Sequence, residues 1–249
     1  MMFADKVALI SGATSGIGAA TALAFAAQGA RVIAVGRNEA RGREICRGCA
    51  ERGAEALFFA ADLARAEDAR RMVDFALDRC GRLDIAFNNA GYQEPRAPLA
   101  EQPDDAFDRV LAINLGSVFH AMKREIAVML AQGGGVIINN ASVSGVRNPN
   151  TGLALYAASK AAVISLTRSA AMEYAPQNIR INAVSPGRVV TPMMLASKIA
   201  DMKAVAAGLP LRRMGEPEEV AAAVLWLASD AAAFVVGHNL SVDGGFLAQ

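Results

Sequence analysis

Short apolar, β-branched runs alternate with longer segments of helical period along almost the whole chain, and this alternation restricts the fold more than any other feature of the sequence. The strand candidates are KVALIS (6–11), ARVIAVG (30–36), EALFFA (55–60), LDIAFNN (83–89), GVIINNA (135–141), IRINAVS (179–185) and HNLSVDGG (238–245). Helical segments are expected near 17–28, 39–52, 66–79, 104–131, 154–174 and 218–229, with Pro103-Asp104-Asp105 and Glu216-Pro217-Glu218-Glu219 as start signals. Strands that are apolar on both faces need cover on both faces. A parallel sheet with helices on each side supplies it, so the expected class is α/β, a doubly wound sandwich. No linker or low-complexity stretch interrupts the pattern, and residues 1–249 are expected to form one domain. Between Pro186 and Pro217 no strand is expected, and the stretch is longer than the usual connection of about 2–6 residues. At the carboxyl end of a strand it reads as a substrate lid over about 187–216, or as a surface excursion.

Composition removes several partners. Twenty-five basic and 24 acidic side chains leave a net charge of +1, which gives no electrostatic reason to expect nucleic acid or a membrane surface. No apolar run approaches the ~20 residues a bilayer requires. MMFADKVALISG has no basic segment followed by an apolar one, so a secretory leader is not expected and the cytoplasm is the default compartment. Three cysteines do not make a disulfide framework. Cys46 and Cys49 form a C-x-x-C inside an arginine-rich helical stretch, far from His120 and His238; it reads as surface helix rather than a redox or metal site, and no metal is expected.

After the first strand comes Ser11-Gly12-Ala13-Thr14-Ser15-Gly16-Ile17-Gly18, then a helix. Glycines there permit a tight turn and a close approach of backbone to a pyrophosphate, whose charge meets unpaired N–H groups at a helix N-terminus. The spacing is G-x-x-x-G-x-G, and its position in a βαβ unit is where a dinucleotide crosses the sheet edge. The second strand ends Val35-Gly36-Arg37-Asn38 with no carboxylate before Glu39, where NAD-preferring sites offer an acid to the ribose 2′-hydroxyl. Residues 31–52 carry six arginines against three glutamates. The expectation is NADP(H), with Arg37 on the 2′-phosphate and Asn38 supporting it; NAD(H) stays open, as does Arg37 as a solvated loop residue.

Tyr156-Ala157-Ala158-Ser159-Lys160 opens a helical segment, so Tyr156 and Lys160 share one face. A lysine one turn away favours the phenolate and is expected to bring the phenol, with an ordinary pKa of ~10, closer to working pH. Ser142 follows the strand GVIINNA at its carboxyl end, placed to hydrogen-bond a carbonyl or alcohol oxygen.

With these motifs, and with Asp62-Leu63, Asn88-Asn89-Ala90-Gly91, Asn114, Pro186-Gly187, Thr191-Pro192 and Val242-Asp243-Gly244-Gly245 in order along residues 5–246, the chain resembles the short-chain dehydrogenase/reductase family. The resemblance implies a Rossmann-type sheet of seven parallel strands in the order 3-2-1-4-5-6-7. It also implies that Ser142 holds the substrate oxygen, that Tyr156 exchanges the proton, and that Lys160 binds the nicotinamide ribose. It further implies that Asn114 bends its helix so that a main-chain carbonyl positions a water in a relay to Lys160. Cofactor contacts are implied for Gly12, Thr14, Ser15, Gly16, Ile17 and Gly18 in the turn, for Asp62 and Leu63 at the adenine, and for Asn89, Ala90 and Gly91 along the cleft. Pro186, Gly187, Val189 and Thr191 complete the set, the last two at the carboxamide. Ser11 stands where threonine is usual, and Asn140-Ala141-Ser142 replaces a double serine, with Ser144 as a second hydroxyl.

Substrate contacts are expected from Ser142, Ser144, Gln93, Leu153 and Met193, with Val143, Glu94 and Arg188 as further neighbours. Lid residues Met193, Met194, Leu195, Ile199, Met202 and Val205 fit either an apolar cover or the packed face of a helix. The leading function is NADP(H)-dependent oxidoreduction of a largely apolar ketone or secondary alcohol, and the resemblance also implies a homotetramer, with dimer and tetramer left open by the sequence. The alternatives are a 3-oxoacyl thioester reductase and a non-catalytic dinucleotide-binding scaffold.

Overall fold

A computed structural model describes residues 1–148, 151–197 and 201–249. Within them, β1 (Val7–Ser11), β2 (Arg31–Gly36), β3 (Ala56–Ala60), β4 (Ile85–Asn88), β5 (Gly135–Asn140), β6 (Ile179–Pro186) and β7 (Asn239–Val242) form one parallel sheet. Its order is β3-β2-β1-β4-β5-β6-β7, as the resemblance implies. The connecting helices are α1 (Gly16–Ala27), α2 (Glu39–Ala50), α3 (Ala66–Cys80), α4 (Asp104–Leu111), α5 (Ser117–Gln132), α6 (Ala154–Tyr174), α7 (Pro192–Leu195), α8 (Met202–Ala207) and α9 (Pro217–Ala228).

Because successive strand residues point to opposite faces, β1 feeds two cores at once. Val7 and Leu9 pack with Met72 and Val73 of α3, Ile126 of α5 and Val163 of α6. Ala8 and Ile10 pack on the other face with Phe25 of α1 and Val220 and Val224 of α9. Leu9 and Ile10 are fully buried, so truncating either to alanine costs about 2–5 kcal/mol. Both cores lie below the carboxyl ends of the strands, leaving those ends free to carry a site.

Four sequence expectations are modified. The helical run 104–131 is interrupted at Ala112–Gly116 by a π-helical turn, in which the Ser117 hydroxyl donates to the Ile113 carbonyl at 2.6 Å. The terminal strand is four residues, because Asp243 leaves the ladder: its carboxylate accepts from the Gly245 and Leu247 amides at 2.9 and 3.0 Å. The segment after β6 does carry β pairing, an isolated parallel bridge between Val189 and Gly215, and it continues through α7 and α8. Cys49 also departs from the surface reading: it is fully buried under α2, where burial pushes its thiol up to about 11.

Candidate active site

A cleft crosses the carboxyl edge of the sheet, with the glycine turn near its middle. Ser11 fixes that turn: its hydroxyl accepts from the Asn89 and Ala90 amides at 2.9 and 3.0 Å, while the Asn89 side-chain amide donates to the Ser11 carbonyl at 2.9 Å. Gly12 and Gly16 hold φ of +67° and +53°, which side chains rarely adopt. A Cβ on Gly12 would come within 2.9 Å of the Asn89 amide nitrogen. At the N-terminus of α1, Ser15 is extended and its side chain makes no cap, so the first amides of this twelve-residue helix are not consumed by it. This is the donor set a dinucleotide pyrophosphate takes.

At one end the cleft is walled by Thr14, Gly36, Arg37, Ala61, Asp62 and Leu63. Gly36 has to be small, since a Cβ there would meet the Thr14 methyl at 2.6 Å. Of the six arginines in 31–52, Arg31 pairs with Glu55 at 2.5 Å and Arg43 with Glu39 at 3.3 Å; Arg37 is the one that lines the cleft, and it is exposed.

The other end gathers Ser142, Tyr156 and Lys160 with Gln93, Ser144, Leu153 and Met193. Ser142 ends the β5 connection, and its hydroxyl accepts from the Ser144 amide at 3.1 Å. Lys160 is 3% exposed and donates to the Asn140 carbonyl at 2.6 Å. The Asn140 side chain donates to Asn89 at 2.8 Å, so hydrogen bonds run from the lysine through Asn140 and Asn89 to the glycine turn. Burial pulls the Lys160 ammonium down to about 8. Burial also holds the Tyr156 phenol above its ordinary range; a hydrogen bond from Ser142 opposes this, and the Glu94 carboxylate adds to it. The expected lowering of the phenol by Lys160 is therefore corrected here. The ammonium is directed to the Asn140 carbonyl and lies 5.7 Å from the Tyr156 ring centroid, so desolvation governs the phenol.

Some expected residues stand outside the cleft wall. Asn38 caps α2, its side chain accepting from the Arg41 amide at 3.0 Å. Gly18 packs against the turn, where a Cβ would lie 2.3 Å from the Gly12 carbonyl oxygen. Val189 is core. Asn114 is fully buried in the π-helical turn; it accepts from the Tyr92 amide at 2.7 Å and donates to the Tyr92 carbonyl at 2.8 Å and to the Ser159 hydroxyl at 3.0 Å. Glu94 lies under the wall rather than on it, 1% exposed. The remaining turn, strand-end and lid-start candidates, namely Ser15, Ile17, Asn89, Ala90, Gly91, Pro186, Gly187 and Thr191, line the cleft. Of the lid side chains, Met193 and Met194 face it, Leu195 is exposed, Met202 lines a separate shallow groove, and Ile199 lies outside the described residues. Tyr92 and Ile113 line the cleft without having been expected; each adjoins a motif residue, Gly91 or Asn114, which was the available signal.

Comparison with known proteins bears on this arrangement. A family model described as enoyl-(acyl carrier protein) reductase matches residues 12–247. The chain is 43% identical over 248 residues to cis-4-hydroxycyclohexanecarboxylate dehydrogenase of Sinomonas cyclohexanicum, covering 99% of this chain and 98% of the relative. It is 41% identical over 250 residues to an A-factor type gamma-butyrolactone 1'-reductase (1S-forming) of Streptomyces virginiae, covering 98% and 96%. Among solved structures it is similar to levodione reductase, with TM-score 0.95, 35% identity and 99% of each chain covered. It is also similar to an NAD+-bound xylitol dehydrogenase, with TM-score 0.92, 35% identity and coverage of 98% and 100%.

Proposed function

Because the chain belongs to the short-chain dehydrogenase/reductase family, we propose that it is an NADP(H)-dependent oxidoreductase of ketones and secondary alcohols in which Tyr156 is the general acid/base. The observation that carries this reading is the convergence of Ser142, Tyr156 and Lys160 at one end of a cleft whose middle is a positive-φ glycine turn. The cradle fits a dinucleotide: a Cβ on Gly91 would stand 3.6 Å from both the Lys160 ammonium and the Asn114 side-chain oxygen, filling space the cleft keeps open.

When bound, the nicotinamide supplies or accepts the hydride. In the reducing direction Ser142 holds the carbonyl oxygen and the Tyr156 phenol donates its proton to it; in oxidation the same group takes the proton back. Lys160, anchored on Asn140, fixes the ribose side of the site and replaces the phenol proton, with the Asn114 turn supporting a relay to solvent. The turn residues with Asn89, Ala90 and Gly91 bind the pyrophosphate and cleft side, and Asp62 and Leu63 bind the adenine. Pro186 and Gly187 complete the cofactor wall, and Thr191, with the backbone of Val189 near it, meets the carboxamide. Arg37, with Asn38 behind it, takes the 2′-phosphate.

Leu153, Val143, Ile113, Met193 and Met194 give the substrate end an apolar lining with Gln93 and Arg188 as polar exceptions. This supports a ring ketone or ring alcohol, the substrate type named for the Sinomonas relative, and Arg188 suits a carboxylate on such a ring. Exposed apolar side chains at Phe107, Phe119, Trp226 and Phe234 support a homotetramer, and the cytoplasm is the compartment this reading assigns.

The test is NADPH and NADH oxidation across cyclic ketones, aldehydes and acetoacetyl thioesters. Turnover of ring ketones with a lower KM for NADPH is expected. A KM for NADH equal to or below that for NADPH overturns the cofactor assignment, preference for the thioester favours the acyl reductase, and no turnover with any carbonyl favours a scaffold. Full turnover by Ser142→Ala would move the substrate-oxygen role to Ser144.

A further inference from the structure

The helix that carries Tyr156 and Lys160 follows Leu153, an N-cap residue with no side-chain group to cap it. The cap comes instead from 62 residues earlier in the chain: the Tyr156 amide donates to the Glu94 carboxylate at 3.0 Å. Glu94 is 1% exposed, and its second oxygen is buried with no hydrogen-bond partner among the described residues. A buried carboxylate with an unused oxygen is costly, so its location needs a reason.

The segment around it is built to hold it there. Asn114 grips Tyr92 through both its amide and its carbonyl, and Arg109 lies 4.5 Å from the Tyr92 ring centroid. On the other side, Arg96 donates to the Thr151 carbonyl at 3.0 Å, the Ala97 amide to the Gly152 carbonyl at 3.3 Å, and Gln102 to the same carbonyl at 3.3 Å. The loop after β4 is thus stitched to the residues that precede α6, with Glu94 between the stitches.

We propose that Glu94 is a positioning residue for this reaction: its carboxylate fixes the first turn of α6, and with it the placement of Tyr156 against Ser142 and the charge the phenol faces. The inference rests on the assignment of Tyr156 as acid/base. The groups acting on that phenol are Ser142 from the end of β5, Lys160 from α6 and Glu94 from the loop after β4, while Arg188, after β6, lines the same cleft. Glu94 is the acid among them, so removing its charge stabilises the phenolate.

Glu94→Gln keeps an acceptor for the Tyr156 amide and removes the charge; Glu94→Ala removes both. For Glu94→Gln, the limb of the pH–kcat profile that titrates Tyr156 is expected to move down, by less than about one pH unit, in both reaction directions, with KM for NADPH unchanged. For Glu94→Ala, kcat is expected to fall about tenfold as well. Glu94→Gln and Glu94→Ala profiles that superimpose on the wild type overturn the proposal. A phenolate absorbance titration needs no turnover, and only three tyrosines contribute to it. The Tyr156 component, found by difference from Tyr156→Phe, should titrate lower in Glu94→Gln, and an unmoved titration also overturns the proposal. Tyr156→Phe separates the two failures: if that variant keeps its activity, the acid/base reading fails first; if it is inactive and the Glu94→Gln limb is unmoved, only the role of Glu94 is lost.

Discussion

At the end of the cleft proposed for the adenosine the charge is exposed, since Arg37 stands in solvent on the rim. At the end proposed for catalysis the charge is Lys160, 3% exposed and held by the Asn140 carbonyl at 2.6 Å. An exposed guanidinium keeps its charge at any working pH and selects a ligand group by attraction that salt weakens. A buried ammonium loses solvation, its pKa falls to about 8, and it becomes responsive to pH and to neighbouring groups. On the proposed reading, one end serves selection and the other proton exchange.

The hardest test of that division is Tyr156→Phe. Removing one hydroxyl should lower kcat about a thousandfold, within the range for loss of a general acid/base, while the melting temperature and KM for NADPH change little. Steady-state kinetics beside a thermal melt checks both. A variant that keeps a tenth of its turnover would mean that the catalytic end does not work through this phenol.

The second test uses the sign of the Lys160 shift. Its folded-state value of about 8 lies below the ordinary 10.5, so between these two pH values the unfolded chain holds the extra proton. The burial penalty is present in full below pH 8 and is relieved as pH rises towards 10.5. Lys160→Met has no such term, so its stability relative to wild type should decline with pH across that window. The slope approaches about 1.4 kcal/mol per pH unit, tenfold per unit in the folding constant. Denaturant unfolding from pH 7 to 10 measures it, and parallel curves would show that Lys160 is not desolvated as the structure has it.

These two ends were not equally legible in the sequence. The strands were, because Val7–Ser11 and Arg31–Gly36 are apolar on both faces and short, and the turn was, because Gly12 and Gly16 need positive φ. Residue identity also picked out Ser142, Tyr156 and Lys160, which the structure brings to one end of the cleft. What escaped were directions and reach. The apolar period of 104–131 does not reveal the one wider turn around Asn114, because a π-helical turn leaves the pattern on either side nearly intact; only the family resemblance implied a bend there. Spacing within YAASK suggested that the lysine would govern the phenol, whereas the ammonium turns to a carbonyl 20 residues away. The cap on the Tyr156 amide comes from Glu94, across a separation no local motif records. The arginine excess in 31–52 pointed to the adenosine end, but Arg31 and Arg43 pair with glutamates and only Arg37 lines the cleft.

If Arg37 is the selecting charge, Arg37→Ser should raise KM for NADPH about tenfold or more, the loss of a charged hydrogen bond, and change KM for NADH about twofold at most. Equal rises for both dinucleotides would mean that the residue supports the loop rather than the phosphate.

The smallest effect separates the two ends most cleanly. Exposed charges are screened over a Debye length of about 10 Å at 0.1 M salt and about 3 Å at 1 M, whereas buried pairs feel little of this. Raising salt from about 0.05 to 0.5 M should therefore increase the wild-type KM for NADPH about threefold through Arg37, and leave kcat, set by Tyr156 and Lys160, nearly constant. Arg37→Ser should lose most of the salt dependence of KM. If kcat follows salt instead, the catalytic charges are open to solvent, and the contrast between the two ends of the cleft fails at the end where burial was taken to define it.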